Sequence, residues 1–169
     1  MGTINGGEPM NIRVGQGFDI HRFEVEPTPG RRLILGGQIF EGERALVGHS
    51  DADVVAHAVA DALLGAAGLG DIGEHFPDTD PRWKNADSIE ILRNVSSMII
   101  GAGWSVGNVD CSVVCERPKL APHRDAMQRT LSEAAGAPVT VKGRRAEGLG
   151  AIGRNEGIAC FASAVITRD

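Results

Sequence analysis

From Val54 to Ala66 the chain carries Val54, Val55, Ala58, Val59, Ala62, Leu63 and Ala66 at helical spacing. A helix with so continuous an apolar face is stable only when that face is buried against another layer. Ser50 is placed to cap it, with Asp51 and Asp53 in the first turn, where carboxylates suit the helix macrodipole. A second helix opens at Asp87 or Ser88, carries Ile89, Leu92, Val95 and Ile99 on one face and ends at Gly101 or Gly103. A third runs from Pro122 to Ala135 and closes at Gly136. Strand patterns surround them. Asn11 to Asp19 alternates Ile12, Val14 and Gln16 against Arg13, Gly15 and Gly17, which predicts a strand approaching a tight site. Leu33 to Leu35, Val106 to Cys115, Val139 to Lys142 and Ile158 to Thr167 predict further strands. Gly68 to Lys84 is too rich in Gly, Pro and Asp for a regular element, and loops of that length are usually functional or disordered. The expected fold is α+β: a single sheet with helices packed on one face.

The remaining composition narrows the class. A chain of 169 residues with 42% hydrophobic content can bury one core, so a single domain is expected over residues 11–169. Residues 1–10, Gly-rich and patternless, read as a flexible lead or expression scar, with Met10 a candidate start. A formal net charge of −5 and the lack of a basic stripe argue against nucleic acid as a partner. Cys111, Cys115 and Cys160 are an odd number without C-x-x-C spacing, which points to a reducing cytosol and no disulfide. Apolar runs break far short of the ~20 residues needed to cross a bilayer, so no membrane is expected either.

Several clusters can carry chemistry. Asp19 and His21, two apart on a strand end, face the same way and can reach one cation; the same spacing also fits an ordinary strand-end hydrogen bond. His57 lies four residues after Asp53 on one helical face, as a chelating pair or a hydrogen-bonded histidine. Asp, His and His with an open fourth position is the composition of a catalytic zinc site. His49 and Ser50 precede the helix, where free N–H groups favour a phosphate; a plain N-cap is the alternative. Near the C-terminus, five Gly, three Arg and one Lys surround Glu147, which suits a phosphate cradle with a carboxylate for Mg²⁺, or a solvated basic loop.

Together these segments resemble the 2-C-methyl-D-erythritol 2,4-cyclodiphosphate synthase family of the non-mevalonate isoprenoid pathway. The resemblance rests on R-V-G-x-G-F-D-I-H at Arg13 to His21, G-H-S-D-A-D-V-V-A-H-A at Gly48 to Ala58, A-L-L-G-A-A-G-L-G-D-I-G at Ala62 to Gly73, and F-P-D-T-D-P at Phe76 to Pro81. It implies a homotrimer with active sites between subunits. Zinc would sit on Asp19, His21 and His57, and Mg²⁺ or Mn²⁺ on Glu147, with His49, Asp53 and Glu147 as the catalytic set. His49 and Ser50 would meet the methylerythritol phosphate, Phe76 and Asp78 the erythritol, and Asp71 and Gly73 the ribose. The stretch Cys115 to Leu120, including Pro118 and Lys119, would read the cytosine. An apolar cavity on the threefold axis, lined by Phe18 and Arg154, would hold a prenyl diphosphate. The implied reaction is attack of the 2-phosphate on the β-phosphorus of a cytidine diphosphate ester with loss of CMP, with no residue required as general base.

The chain departs from that family in one loop. K-A-T-T-T-E-K-L-G is here Lys142-Gly-Arg-Arg-Ala-Glu-Gly-Leu-Gly150, so Arg144, Arg145 and Ala146 replace threonines and Gly148 replaces a lysine. Neighbours in an extended segment point to opposite faces, so Arg144 and Arg145 are expected to differ, one near substrate phosphates and one away. Gln16 replaces a frequent histidine, and G-R-N-E-G stands for G-R-G-E-G. Two rival readings are a trimer that binds metal and nucleotide without turnover and a zinc phosphodiesterase. Fusion to a cytidylyltransferase is not expected at this length.

Overall fold

The computed structural model describes residues 11–168, so the expectations for residues 1–10 lie outside the described residues. Strand β1 (Ile12–Arg22) pairs antiparallel with β6 (Gly157–Thr167) along its whole length, from Ile12 opposite Thr167 to Arg22 opposite Gly157. On its other edge β6 pairs antiparallel with β4 (Ser105–Val114), which pairs in parallel with β5 (Val139–Arg144). The sheet order is therefore β1-β6-β4-β5. A separate hairpin joins β2 (Leu33–Leu35) to β3 (Gln38–Phe40). The sequence pattern had predicted only its first strand. Gly36 and Gly37 form its two-residue turn with φ of 57° and 71°, the left-handed pair that such hairpins require.

Helix α1 (Val54–Ala67) is the centre of the core, and its Val54, Val59, Leu63 and Leu64 are fully buried. Its N-cap is Asp53 rather than the expected Ser50. Ala52 adopts a left-handed φ of 61°, which breaks the helix before that turn, and the Ser50 hydroxyl accepts from Ala52 N–H instead. Helix α3 (Ser88–Gly101), capped by Asp87, packs on α1, and α4 (Arg124–Ala135) packs on α3 and β5. Pro122, expected inside α4, precedes it, and Gly136 closes it. Gly68 to Lys84 is more regular than predicted, with α2 (Ile72–His75) and a 3₁₀ turn over Pro81–Trp83. Asp71 and Asp80 cap these two turns, so acidic residues read as loop formers nucleate short helices. Helix α5 (Gly150–Gly153) follows β5. Among the described residues no helix is long and apolar enough to cross a membrane.

The alternation in β1 is resolved in an unusual sense. Its buried positions are Gly15 and Gly17, while Ile12, Val14, Phe18 and Ile20 are exposed, Val14 at 70%. The glycines face inward because α1 lies so close. A Cβ at Gly15 would stand 2.0 Å from the Ala62 carbonyl oxygen, and one at Gly17 2.0 Å from that of Ala58. Small residues on both partners let strand and helix backbones touch. The Gly17→Ala variant is expected to lose about 3 kcal/mol by urea unfolding, because backbone atoms must retreat to admit the methyl. A loss under about 1 kcal/mol would show that α1 can withdraw without disturbing the core.

Candidate metal centre and substrate clefts

Two residues beyond Gly17, β1 presents Asp19 and then His21, and α1 presents His57 opposite them. The three side chains converge. Asp19 Oδ2 lies 2.9 Å from His57 Nδ1 and 3.0 Å from His21 Nε2, and the two imidazole nitrogens are 3.4 Å apart. Together they form a group able to hold a metal ion. The far nitrogens are committed elsewhere. His21 Nδ1–H donates to the Val47 carbonyl at 2.8 Å, which leaves Nε2 with its lone pair toward the centre. His57 Nε2 meets Ser88 Oγ at 2.8 Å and Ser50 Oγ at 3.1 Å. The Ser88 hydroxyl donates in turn to Asp51, whose other oxygen accepts from Ser88 N–H at 3.0 Å. A serine whose proton is given to a carboxylate accepts from His57, so Nδ1 is the nitrogen left for a ligand.

The electrostatics fit a cationic occupant. Burial works to raise the Asp19 carboxyl, but the hydrogen bonds and charges of His21 and His57 hold it well below the usual carboxylate range. Burial opposes charge on His57, yet Asp19, with Asp53 and Asp51 behind it, raises its pKa above 6.5. Positive charge beside Asp19 is thus favoured at this point of the structure.

A cavity of about 560 Å³ opens over this group. Its walls include His49, Ser50, Asp71, Gly73, Phe76 and Asp78, the residues singled out for the methylerythritol and ribose. Phe76 and Trp83 pack edge to face at 4.9 Å as one side of it. The loops are tied together where Asn85 N–H donates to the His49 carbonyl at 2.9 Å and Asp51 N–H to that of Ala86 at 3.1 Å. Sequence reasoning missed Asp61, Trp83 and the Asp51–Ser88 pair. Asp61 stands four residues after His57 on α1, a spacing that could have marked it. Nothing local could have marked Ser88, which reads as a helix start and reaches His57 only across the fold.

Asp53 does not join the site as a catalytic or chelating group. Its side chain is fully buried, and its Oδ1 accepts from the N–H groups of Gly36, Val55 and Ala56 at 2.8, 3.1 and 3.2 Å while Oδ2 accepts from Gly37 at 2.7 Å. Burial and the Asp51 charge push it up to about 6, while the backbone N–H donors of Gly37, Gly36 and Ala56 work against that rise. The same bonds correct the reading of the α1 N-terminus as an open phosphate site, because Asp53 already takes those N–H groups.

A second cavity, of about 850 Å³, is lined by Cys115, Pro118, Lys119, Leu120, Arg144 and Arg145, among others. Arg145 is held by Glu116, with Nε and Nη2 at 3.0 and 2.9 Å from Oε2. Arg144 makes no ion pair among the described residues, and its Nη1 donates only to the Gly143 carbonyl. Glu147 follows in a tight turn at a left-handed φ of 52°, a conformation costing about 1–2 kcal/mol for a residue with a Cβ. Arg154 lies outside both cavities and pairs with Glu156 at 2.6 Å. Phe18 stands on the open face of β1 against Phe161, ring centroids 4.8 Å apart.

The YgbB family model matches residues 12–167. The chain is 54% identical over 159 residues to the 2-C-methyl-D-erythritol 2,4-cyclodiphosphate synthase of Rubrobacter xylanophilus, covering 92% of this chain and 95% of that one. It is 51% identical over 160 residues to the bifunctional enzyme IspD/IspF of Anaeromyxobacter dehalogenans, covering 93% of this chain but only 40% of that longer protein. Among solved structures, a Plasmodium falciparum IspF–CDP complex matches with a TM-score of 0.80 at 33% identity, covering 95% of this chain and 99% of that one.

The hydrogen bond behind His57 is open to test. Ser88→Ala is expected to weaken the binding of an added divalent cation at this group about tenfold, the lower end for such a loss because Ser50 remains as a second acceptor. Competition against a chromophoric chelator measures it, and wild-type affinity would remove Ser88 from the site.

Proposed function

Since the chain belongs to the YgbB family, we propose that it is a cytosolic synthase that converts 4-diphosphocytidyl-2-C-methyl-D-erythritol 2-phosphate into 2-C-methyl-D-erythritol 2,4-cyclodiphosphate and CMP. One observation carries the reading. Asp19, His21 and His57 converge at one end of a cavity walled by every residue that the family resemblance gives to the methylerythritol and the ribose.

The donors suit two different cations. Two imidazoles and one carboxylate with room for a further ligand favour zinc at Asp19, His21 and His57, whereas the lone hard oxygens of Glu147 favour Mg²⁺ or Mn²⁺. Bound there, such ions would withdraw charge from the diphosphate oxygens. The rest of the chemistry is geometry. An oxygen of the 2-phosphate bonds to the β-phosphorus, the bond from that phosphorus to the bridging oxygen breaks, and its electron pair leaves on CMP. The entering phosphate oxygen is already ionised at neutral pH and the bridging oxygen departs as part of the CMP phosphate anion, so no side chain has to take or give a proton. The protein's task is to hold the ends in line. His49, Ser50, Phe76 and Asp78 serve the erythritol end, Asp71 and Gly73 the ribose, and the backbone from Cys115 to Leu120 the cytosine. Arg144 and Lys119 supply positive charge for the diphosphate.

The two cavities share no lining residue, so one copy offers the metal and ribose half in one place and the cytosine half in another. This supports a homotrimer in which halves from neighbouring copies face each other. The exposed apolar stripe of Ile12, Val14, Phe18, Ile20 and Phe161 supports the same assembly, because it offers each copy a ready interface.

Incubation with the diphosphocytidyl substrate and Mg²⁺ is expected to give CMP and the paired ³¹P resonances of a cyclic diphosphate. An open-chain product would mark a phosphodiesterase, and absence of CMP would mark a binding protein. Val14→Glu, placed on the open face, is expected to leave the monomer folded but cost about 1.5–3 kcal/mol per buried copy of that side chain at the interface. Sedimentation should then show dissociation with loss of turnover, and an intact active assembly would contradict the interface.

A further inference from the structure

The turn after β5 holds an arrangement that the reaction does not by itself require. Leu149 N–H donates to the Ala146 carbonyl at 2.9 Å, and the two residues between, Glu147 and Gly148, have φ of 52° and 76°. Both central positions are therefore left-handed, a turn type that favours Gly or Asn where this chain has Glu147. Something has to hold it. On one side α5 is pressed against the turn, since a Cβ at Gly153 would stand 2.2 Å from the Gly148 carbonyl carbon. On the other side is Glu116, just beyond the end of β4. Its Oε2 accepts the two bonds from Arg145, and its Oε1 accepts from Gly148 N–H at 3.3 Å. Glu116 thus grips Arg145, two residues before Glu147, and Gly148, immediately after it. The Glu147 side chain is exposed and makes no ion pair among the described residues.

Two carboxylates compete here for one guanidinium. Glu116 is within hydrogen-bond reach of Arg145, and Glu147 follows Arg145 by two residues in the same turn. Glu116 holds it through a charge-assisted fork on one oxygen and fastens the turn with the other. If Glu116 let go, the cationic side chain nearest to Glu147 in sequence, that of Arg145, would be released beside it. Threonines stand at the Arg144 and Arg145 positions in the loop that this chain otherwise resembles, so the competition comes with this chain's own substitution.

We propose that Glu116 is a positioning residue for Glu147: by occupying Arg145 and bonding Gly148, it keeps the Glu147 carboxylate unpaired for the divalent cation that accompanies the diphosphate. This rests on Glu147 as the ligand of that cation. Glu116 acts through charge capture rather than by touching substrate. Shortening it by one methylene therefore has a consequence that net charge does not predict, because the carboxylate remains while its reach to Arg145 and Gly148 is lost.

The test is Mn²⁺ binding by electron paramagnetic resonance, with saturating CDP, on the full-length protein. Glu116→Asp is expected to weaken Mn²⁺ about fivefold, the scale of one exposed ion pair. The double variant Glu116→Asp/Arg145→Gln is expected to bind Mn²⁺ more tightly than Glu116→Asp alone, because the freed competitor is gone. Wild-type Mn²⁺ affinity in Glu116→Asp, or a double variant no tighter than the single, would overturn the proposal. Glu147→Gln separates the two levels of the argument. If it loses the CDP-dependent Mn²⁺ signal while Glu116→Asp does not, only the positioning role fails; if it keeps the signal, the assignment of Glu147 fails and the positioning role with it.

Discussion

The close approach of α1 to β1 is the constraint on which the site depends. Gly15 and Gly17 on the strand meet Ala58 and Ala62 on the helix with no room for a methyl between the backbones. Continuing the same line by one strand step replaces Gly17 with Asp19 and brings it against His57 at hydrogen-bond distance. The metal group is therefore the continuation of a packing seam. Larger residues at either glycine would widen the seam and separate a carboxylate and an imidazole that must lie within about 3–4 Å to share one ion.

Asp53 anchors the other end of that seam. A buried carboxylate is costly unless its lone pairs are met, and here the cap of α1 and the turn of the β2–β3 hairpin supply N–H groups to both oxygens. The helix start, and with it His57 one turn later, is thereby tied to a hairpin distant in sequence. Ser50, released from capping, is free to meet His57, and Asp51 is free to hold Ser88. Successive residues of one short loop thus divide between foundation and site.

The second cavity sits apart from the metal group. The end of β4 and the end of β5 run in parallel, so the Cys115–Leu120 loop and the Gly143–Gly148 loop emerge side by side and form the larger cavity. Glu147, a left-handed residue with a Cβ, follows in the second of these loops. The outer face of β1 and β6 carries an exposed apolar stripe of Ile12, Val14, Phe18, Ile20 and Phe161, the surface that the proposed assembly would use.

Much was legible in the sequence because it is local. Helical spacing, capping residues and closing glycines marked α1, α3 and α4 within a few residues, and period two placed Asp19 with His21. The family resemblance named His49, Ser50, Asp71, Gly73, Phe76 and Asp78, which line the first cavity, and Cys115, Pro118, Lys119 and Leu120, which line the second, but not Asp61 or Trp83. What the sequence could not carry is whatever depends on the distance between elements. The alternation in β1 does not say that its glycines face inward and its valine outward, since that follows from how near α1 comes. A helix start does not reveal that Ser88 backs His57, nor an Asp in a first turn that it faces a hairpin instead of a ligand. Two arginines in a loop do not tell which one a carboxylate will claim. Local pattern determined the elements and the candidate ligands, because both repeat with the geometry of the backbone; tertiary packing alone decided which polar groups meet, because a hydrogen bond or a shared cation is won or lost within an ångström.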